Sequence, residues 1–264
     1  MKLPALGACI YGAGVSAIAI VNLALGTFDP TQPVPASLPG RAVLSYVAAV
    51  FLLIAGAGVA WRPSRARAAA ALSAYYAVVG VLLMNGSSIL AHHAAYGDYF
   101  GAAEGLALAS AALIIYTRDC EAGSRTAHLL TRVGQCAIGL CVLYFGGAHF
   151  VYPASTIPLV PKWLPPSQVF WAYATGIAQI AAATAILSGI TSRLAATLLA
   201  VMYASFTPLV HLPLLLGDPS RPFFWTENAL NIALVGVAGV VAESFVSSRL
   251  ERPRSGEHLD GLQR

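Results

Sequence analysis

The chain has 264 residues, of which 58% are hydrophobic and 10% charged, with a mean hydropathy of +0.71. A water-exposed domain of this length carries about a quarter charged residues, so this composition excludes an ordinary soluble globular fold. The formal charge of +4 is then no sign of nucleic-acid binding, and its meaning lies in where the arginines fall.

Eight apolar stretches follow in order, near residues 3–25, 41–61, 66–90, 99–117, 133–151, 168–189, 194–216 and 223–242. Each matches the roughly 20 helical residues that a bilayer requires. They are continuously apolar and do not alternate, which predicts helices rather than barrel strands. The first run follows Lys2 but is long and has a counterpart later in the chain, so it reads as a span and not as a signal peptide.

Between the spans, Lys2, Arg62, Arg65, Arg67, Arg118, Arg125, Arg132, Arg193, Arg249, Arg252, Arg254 and Arg264 fall on one side, and Arg41, Lys162 and Arg221 on the other. Twelve against three places both termini in the cytoplasm. The expected setting is a plasma or inner membrane crossed eight times. Cys9, Cys120, Cys136 and Cys141 form no C-x-x-C pair and occupy no outward loop, which argues against an outward-facing thiol–disulfide relay.

The chain repeats itself. GACIYG from residue 7 aligns with GQCAIG from residue 134, VPASLP (34–39) with VPKWLP (160–165), Arg67 with Arg193, and Glu104 with Glu227. The offset holds at 127, 126 and then 123 residues. Four spans per copy is an even number, so the copies share one orientation and form a parallel repeat. The fold class expected is an all-α, polytopic membrane helix bundle of two parallel four-helix repeats. The chain divides into a first copy (1–117), a cytoplasmic linker (118–132), a second copy (133–246) and a polar cytoplasmic tail (247–264), whose composition is that of a disordered segment.

Polar residues in the spans converge at one depth. His149 ends the fifth span, His211 lies between Pro208 and Pro213 in the seventh, and Glu227, Asn228 and Asn231 open the eighth. At 1.5 Å per residue Glu227 lies only about 6 Å below the outer boundary. Trp171, Thr175 and Gln179 form an i, i+4, i+8 stripe on the sixth span, starting from the same side. A buried acid in a membrane faces the bundle interior and takes a partner; His149 and His211 are the candidates for Glu227. WTENALN (225–231) is thus expected to line a polar pocket open near the outer surface, with Glu227, His211 and His149 as reactive groups. Asn228, Asn231, Trp171, Thr175, Gln179 and Glu104 would be ligand contacts. The competing structural reading makes Glu227 and the asparagines interhelical glue and Trp163, Trp171 and Trp225 an aromatic belt. His92, His93 and Asp98 in one loop offer a weaker metal-ligand pattern.

The series GGAHFVYP (146–153), VPKWLPP (160–166), FWAYATG (170–176) and SRLAA (192–196) resembles the DoxX family of four-helix membrane proteins. The resemblance implies association with membrane redox complexes and thiosulfate:quinone chemistry. Two departures stand out: Gln179 occupies a position where the family often has an acid, and the first copy has Asn22-Leu23 and Ala49-Val50 in place of the HF and TG pairs. The second copy is therefore expected to be intact and the first degenerate.

Three functions follow as expectations. The leading one is a redox-associated subunit binding a quinone or similar lipophile in an outer-leaflet pocket. With no haem, flavin or iron–sulfur motif in the sequence, its electrons would come from a partner protein. The alternatives are a membrane enzyme using Glu227 as an acid on a prenyl-type lipid, as isomerase or cyclase, and a carrier of a small solute or lipid. The partners expected are the bilayer, a lipophilic small molecule and a redox protein, and no nucleic acid.

Overall fold

A computed structural model describes residues 5–28, 34–35, 37–120 and 124–250, with side chains of the last helix described through Phe245. The described residues form an all-α bundle with eight helices long and apolar enough to cross a membrane. These are α1 (Leu6–Leu25), α2 (Arg41–Ala60), α3 (Arg65–Ala91), α4 (Tyr96–Cys120), α5 (Arg125–Val151), α6 (Gln168–Ser188), α7 (Ser192–Gly217) and α8 (Pro222–Leu250). The chain is a multi-pass membrane protein. The tail beyond Leu250 lies outside the described residues.

Local signals set the helix ends. Ser124 and Ser167 cap α5 and α6, accepting from Ala127 N at 3.0 Å and Phe170 N at 3.1 Å. Gly26 and Gly189 close α1 and α6 in the left-handed conformation, φ 62° and 81°. Because Ser124 starts α5 at Arg125, most of the segment expected as linker is helical, and the joint between the copies is far shorter than its polarity suggests.

The principal packing pairs run in a closed circuit: α1 with α2, α2 with α3, α3 with α4, α4 with α5, α5 with α6, α6 with α7, α7 with α8, and α8 with α1. Contact between α4 and α8 bridges the middle. The fourth helix of each copy therefore packs on the first helix of the other. α4 and α8 are the central members: 61% and 56% of their apolar windows are buried, against 17% for α7. Side chains such as Val47, Ile54, Leu83, Val201 and Leu216 point outward, as a lipid-facing surface requires.

In lipid, helices associate through close packing of small residues rather than through hydrophobic exclusion. The α1–α8 seam is built this way. A Cβ on Gly14 would lie 2.3 Å from Ala233 N, and one on Gly236 would lie 2.2 Å from Tyr11 N. These contacts also show that α1 and α8 run antiparallel, residue 7 meeting 240 and residue 14 meeting 233.

The basic end is knitted by polar contacts. Arg65 donates to the Val59 carbonyl at 2.9 Å and pairs with Asp119 at 3.8 Å, while Arg132 closes the end of α6 by donating to the carbonyls of Ile186 (2.9 Å) and Leu187. Glu243 joins three helices, accepting from Gly7 N at 2.7 Å and from Arg118 at 3.2 Å.

Candidate functional site

Both proline-flanked and proline-free third helices of the two copies contain a π-helical stretch. In α3 it spans Tyr76–Asn85 and in α7 Thr207–His211. The two stretches end on aligned residues, Asn85 and His211. π-turns disrupt regular backbone pairing and recur at functional positions, so this shared irregularity marks the same depth in each copy.

In the second copy the polar residues form a connected network. Gly146 and Gly176 bring α5 and α6 together: a Cβ on Gly146 would lie 2.9 Å from Gly176 O, and one on Gly176 would lie 2.8 Å from His149 Cβ. The GG and TG pairs thus set His149 against α6. There the imidazole Nε2 lies 3.1 Å from Gln179 Nε2, and Tyr203 of α7 donates to Gln179 Oε1 at 3.2 Å. Since the Gln179 oxygen is taken by the tyrosine hydroxyl, its amide nitrogen is the donor and His149 Nε2 the acceptor. In the neutral ring the proton then sits on Nδ1. Nδ1 is buried with no hydrogen-bond partner, although the Ala172 backbone interacts with the ring.

α8 is tied to the kinked α7 beside this network. Asn231 donates to Tyr203 O at 2.9 Å and Thr207 Oγ1 at 2.8 Å, and Asn228 donates to His211 O at 2.9 Å and Phe224 O at 3.0 Å. His149, Gln179, Asn231, Asn228 and the backbone of His211 are therefore brought to neighbouring positions on α5 to α8. The amides act here as links between helices. Glu227 is half-buried on α8, one turn from Asn231. Trp171 donates its indole N–H to Pro165 O at 2.7 Å and Thr175 bonds back to Trp171 O at 2.8 Å, so both polar groups are spent within α6 and the loop before it. Trp225 repeats the first arrangement with Pro219 O at 2.9 Å, which supports the belt reading for both indoles. Tyr203 was not singled out from the sequence; its position five residues before Pro208 gave no polar pattern to find it by.

In the first copy a cavity of about 40 Å³ lies between α1, α3, α4 and α8. Glu104, Asn85 and Tyr76 supply its polar lining. Gly105 and Leu108 of α4 align with Asn228 and Asn231 of α8, so the two amide links of the second copy have no counterpart on α4. Asn85 donates to Gly80 O at 2.7 Å, which turns its Oδ1 toward Gly101, where a Cβ would lie 2.6 Å away.

In the loop between α3 and α4, His92 Nδ1 and Asp98 Oδ2 are 3.8 Å apart, with the His92 side chain 66% exposed. Among the described residues no cluster of three His, Cys, Asp or Glu side chains is placed to hold a metal.

Residues 138–241 match a family described as a domain of unknown function (DUF8561). The match runs from α5 into α8, within the second copy. Comparison with curated proteins and with solved structures returns no match.

Proposed function

We propose that the protein is a redox-associated membrane subunit that binds a quinone-type lipophile at the outer side of its second copy. The observation that carries this reading is the buried His149 ring, held at Nε2 by Gln179 at 3.1 Å with Nδ1 turned away from that bond. Apart from the Ala172 backbone beside the ring, the buried Nδ1 of His149 has no hydrogen-bond partner; an unsatisfied buried donor costs about 1–3 kcal/mol, and a ligand carbonyl would supply an acceptor. Quinones present carbonyl acceptors, whereas an aliphatic lipid tail presents none. Phe150 stacks on Tyr173 at 5.4 Å beside the histidine, and this half-exposed aromatic pair is the cover that a planar ligand displaces. The DoxX-like motifs GGAHF and FWAYATG support the same reading, since their glycines seat His149. The twelve-to-three distribution of basic residues supports an inner-membrane setting with cytoplasmic termini. Electrons reach the ligand from a partner protein, and Glu227 serves as a nearby proton-exchanging group.

The test is binding of decylubiquinone to the purified full-length chain, read by quenching of tryptophan fluorescence, together with mass spectrometry of co-purifying lipids. Saturable binding that weakens about tenfold in His149→Ala and in Gln179→Leu is expected, tenfold being the loss of one hydrogen bond of about 1.4 kcal/mol. Glu227→Gln should keep binding and change only turnover with a redox partner. Absence of both a co-purifying quinone and saturable binding would overturn the reading.

A further inference from the structure

We propose that one water molecule is a fixed part of this bundle, bridging Asn22 of α1 and Thr226 of α8 at the end of the α1–α8 seam farthest from Glu243. The site is separate from the one at His149 and does not depend on it.

The register of the seam brings the two residues to one level. Gly7 meets Val240, Tyr11 meets Gly236 and Gly14 meets Ala233, so each step along α1 is matched by a step back along α8. Continued past Gly14 for two helical turns, this register sets residue 22 opposite residues 225–226. The helix faces agree. Thr226 falls on the stripe 226, 229, 233, 236, 240, whose alternating steps of three and four keep it on the side of α8 that meets α1. Asn22 follows Tyr11, Val15 and Ile18 at the same spacing on α1. Both side chains are interior, Asn22 3% and Thr226 1% exposed.

Each carries a polar atom that the protein leaves unmet: Asn22 Oδ1 and Thr226 Oγ1 are buried without a hydrogen-bond partner. Local remedies are not taken. Thr175, Thr184 and Thr197 each donate to the carbonyl four residues back, whereas Thr226 makes no such bond to Pro222. One turn inward, Ile18, Ala19 and Ala229 are buried and apolar and provide none. Asn22 stands in the place of His149, but Leu53 of α2 aligns with Gln179, the amide that meets His149 in the second copy. Two unmet oxygens then define the bridging group. Asn22 Oδ1 only accepts, so it needs an O–H or N–H, and the Thr226 hydroxyl either gives or accepts. Neither side chain carries the charge that a buried ion requires. Water satisfies both, as buried waters do for two to four otherwise unmet groups. The position also fits the build of the seam. Glycines let the backbones touch from Gly7 to Gly14, but α1 has none from 15 to 25 and α8 none from 222 to 235. Beyond the last glycine contact, a bridging water links helices that no longer meet backbone to backbone.

The experiment is a structure of the full-length protein at a resolution that shows ordered waters, with thermal unfolding of seam variants in detergent measured in parallel. One density peak within about 2.6–3.2 Å of both Asn22 Oδ1 and Thr226 Oγ1 is expected. No peak there would overturn the proposal, as would a direct bond from the Thr226 hydroxyl to Asn22 Oδ1. Thr226→Ser keeps the hydroxyl and should keep the peak, and Thr226→Val should lose it; an unchanged peak in Thr226→Val would show that the hydroxyl does not hold the water. Thr226→Val and Asn22→Leu should each lower the unfolding midpoint by about 2–8 °C, because each strands the other residue's polar atom. The double variant strands neither, so its loss should be smaller than the two single losses added; losses that simply add would overturn the shared bridge. If a variant fails to fold, the wild-type density decides alone.

Discussion

The Tyr203 hydroxyl donates to Gln179 Oε1 at 3.2 Å, and through that bond a residue of α7 orients the amide that meets a histidine of α5. Removing the hydroxyl frees the amide to turn over. In Tyr203→Phe the buried Gln179 oxygen is left without its donor, a cost of about 1–3 kcal/mol. The melting temperature should fall by several degrees, and the nitrogen chemical shifts of His149 should report a mixture of tautomers where the wild type gives one. A single unchanged tautomer would show that Gln179 does not depend on Tyr203 for its orientation.

The α1–α8 seam predicts a sharp contrast between two glycines. At Gly236 a Cβ would meet Tyr11 N at 2.2 Å, and backbone cannot yield as a side chain can; at Gly217 nothing lies within 4 Å. Gly236→Val should therefore cost more than the 1–3 kcal/mol typical of overpacking, with loss of monodisperse protein in size-exclusion chromatography. Gly217→Ala should leave yield and melting temperature unchanged.

Glu243 serves Arg118 and the first turn of α1 together, and both partners of the ion pair are less than one-third exposed, at 29% and 24%. Charged hydrogen bonds in such settings contribute about 1.5–3 kcal/mol, reduced here by partial solvent screening. Glu243→Ala should destabilise more than Arg118→Ala, because it also strands the Gly7 N–H. Unfolding of the two single variants and the double variant gives the coupling, and equal losses from both single variants would argue that the Gly7 bond contributes nothing.

Cysteine accessibility tests the arrangement of the spans. Cys120 is exposed at the basic end of α4 and Cys141 is buried within α5. An impermeant maleimide should label Cys120 in inverted membrane vesicles and not in intact spheroplasts, and Cys141 in neither. Labelling of Cys120 from the outside would reverse the orientation inferred from the arginines.

The sequence by itself determined the number of spans, their order and the internal duplication, because length and apolarity decide whether a helix crosses a bilayer regardless of its neighbours. It pointed to His149, Gln179 and Asn231, which the structure links through Tyr203. It did not reveal the cavity of the first copy. That depends on the distance between α3 and α4, which Gly80, Gly101 and Gly105 set only once the helices are packed. Nor could it reveal the roles of Tyr203 and Glu243. In a membrane both the lipid-facing and the core-facing surfaces of a helix are apolar, so periodicity says little about which face turns inward. Only the tertiary structure fixes those rotations, and with them which buried oxygens and nitrogens meet a partner and which are left to meet a ligand.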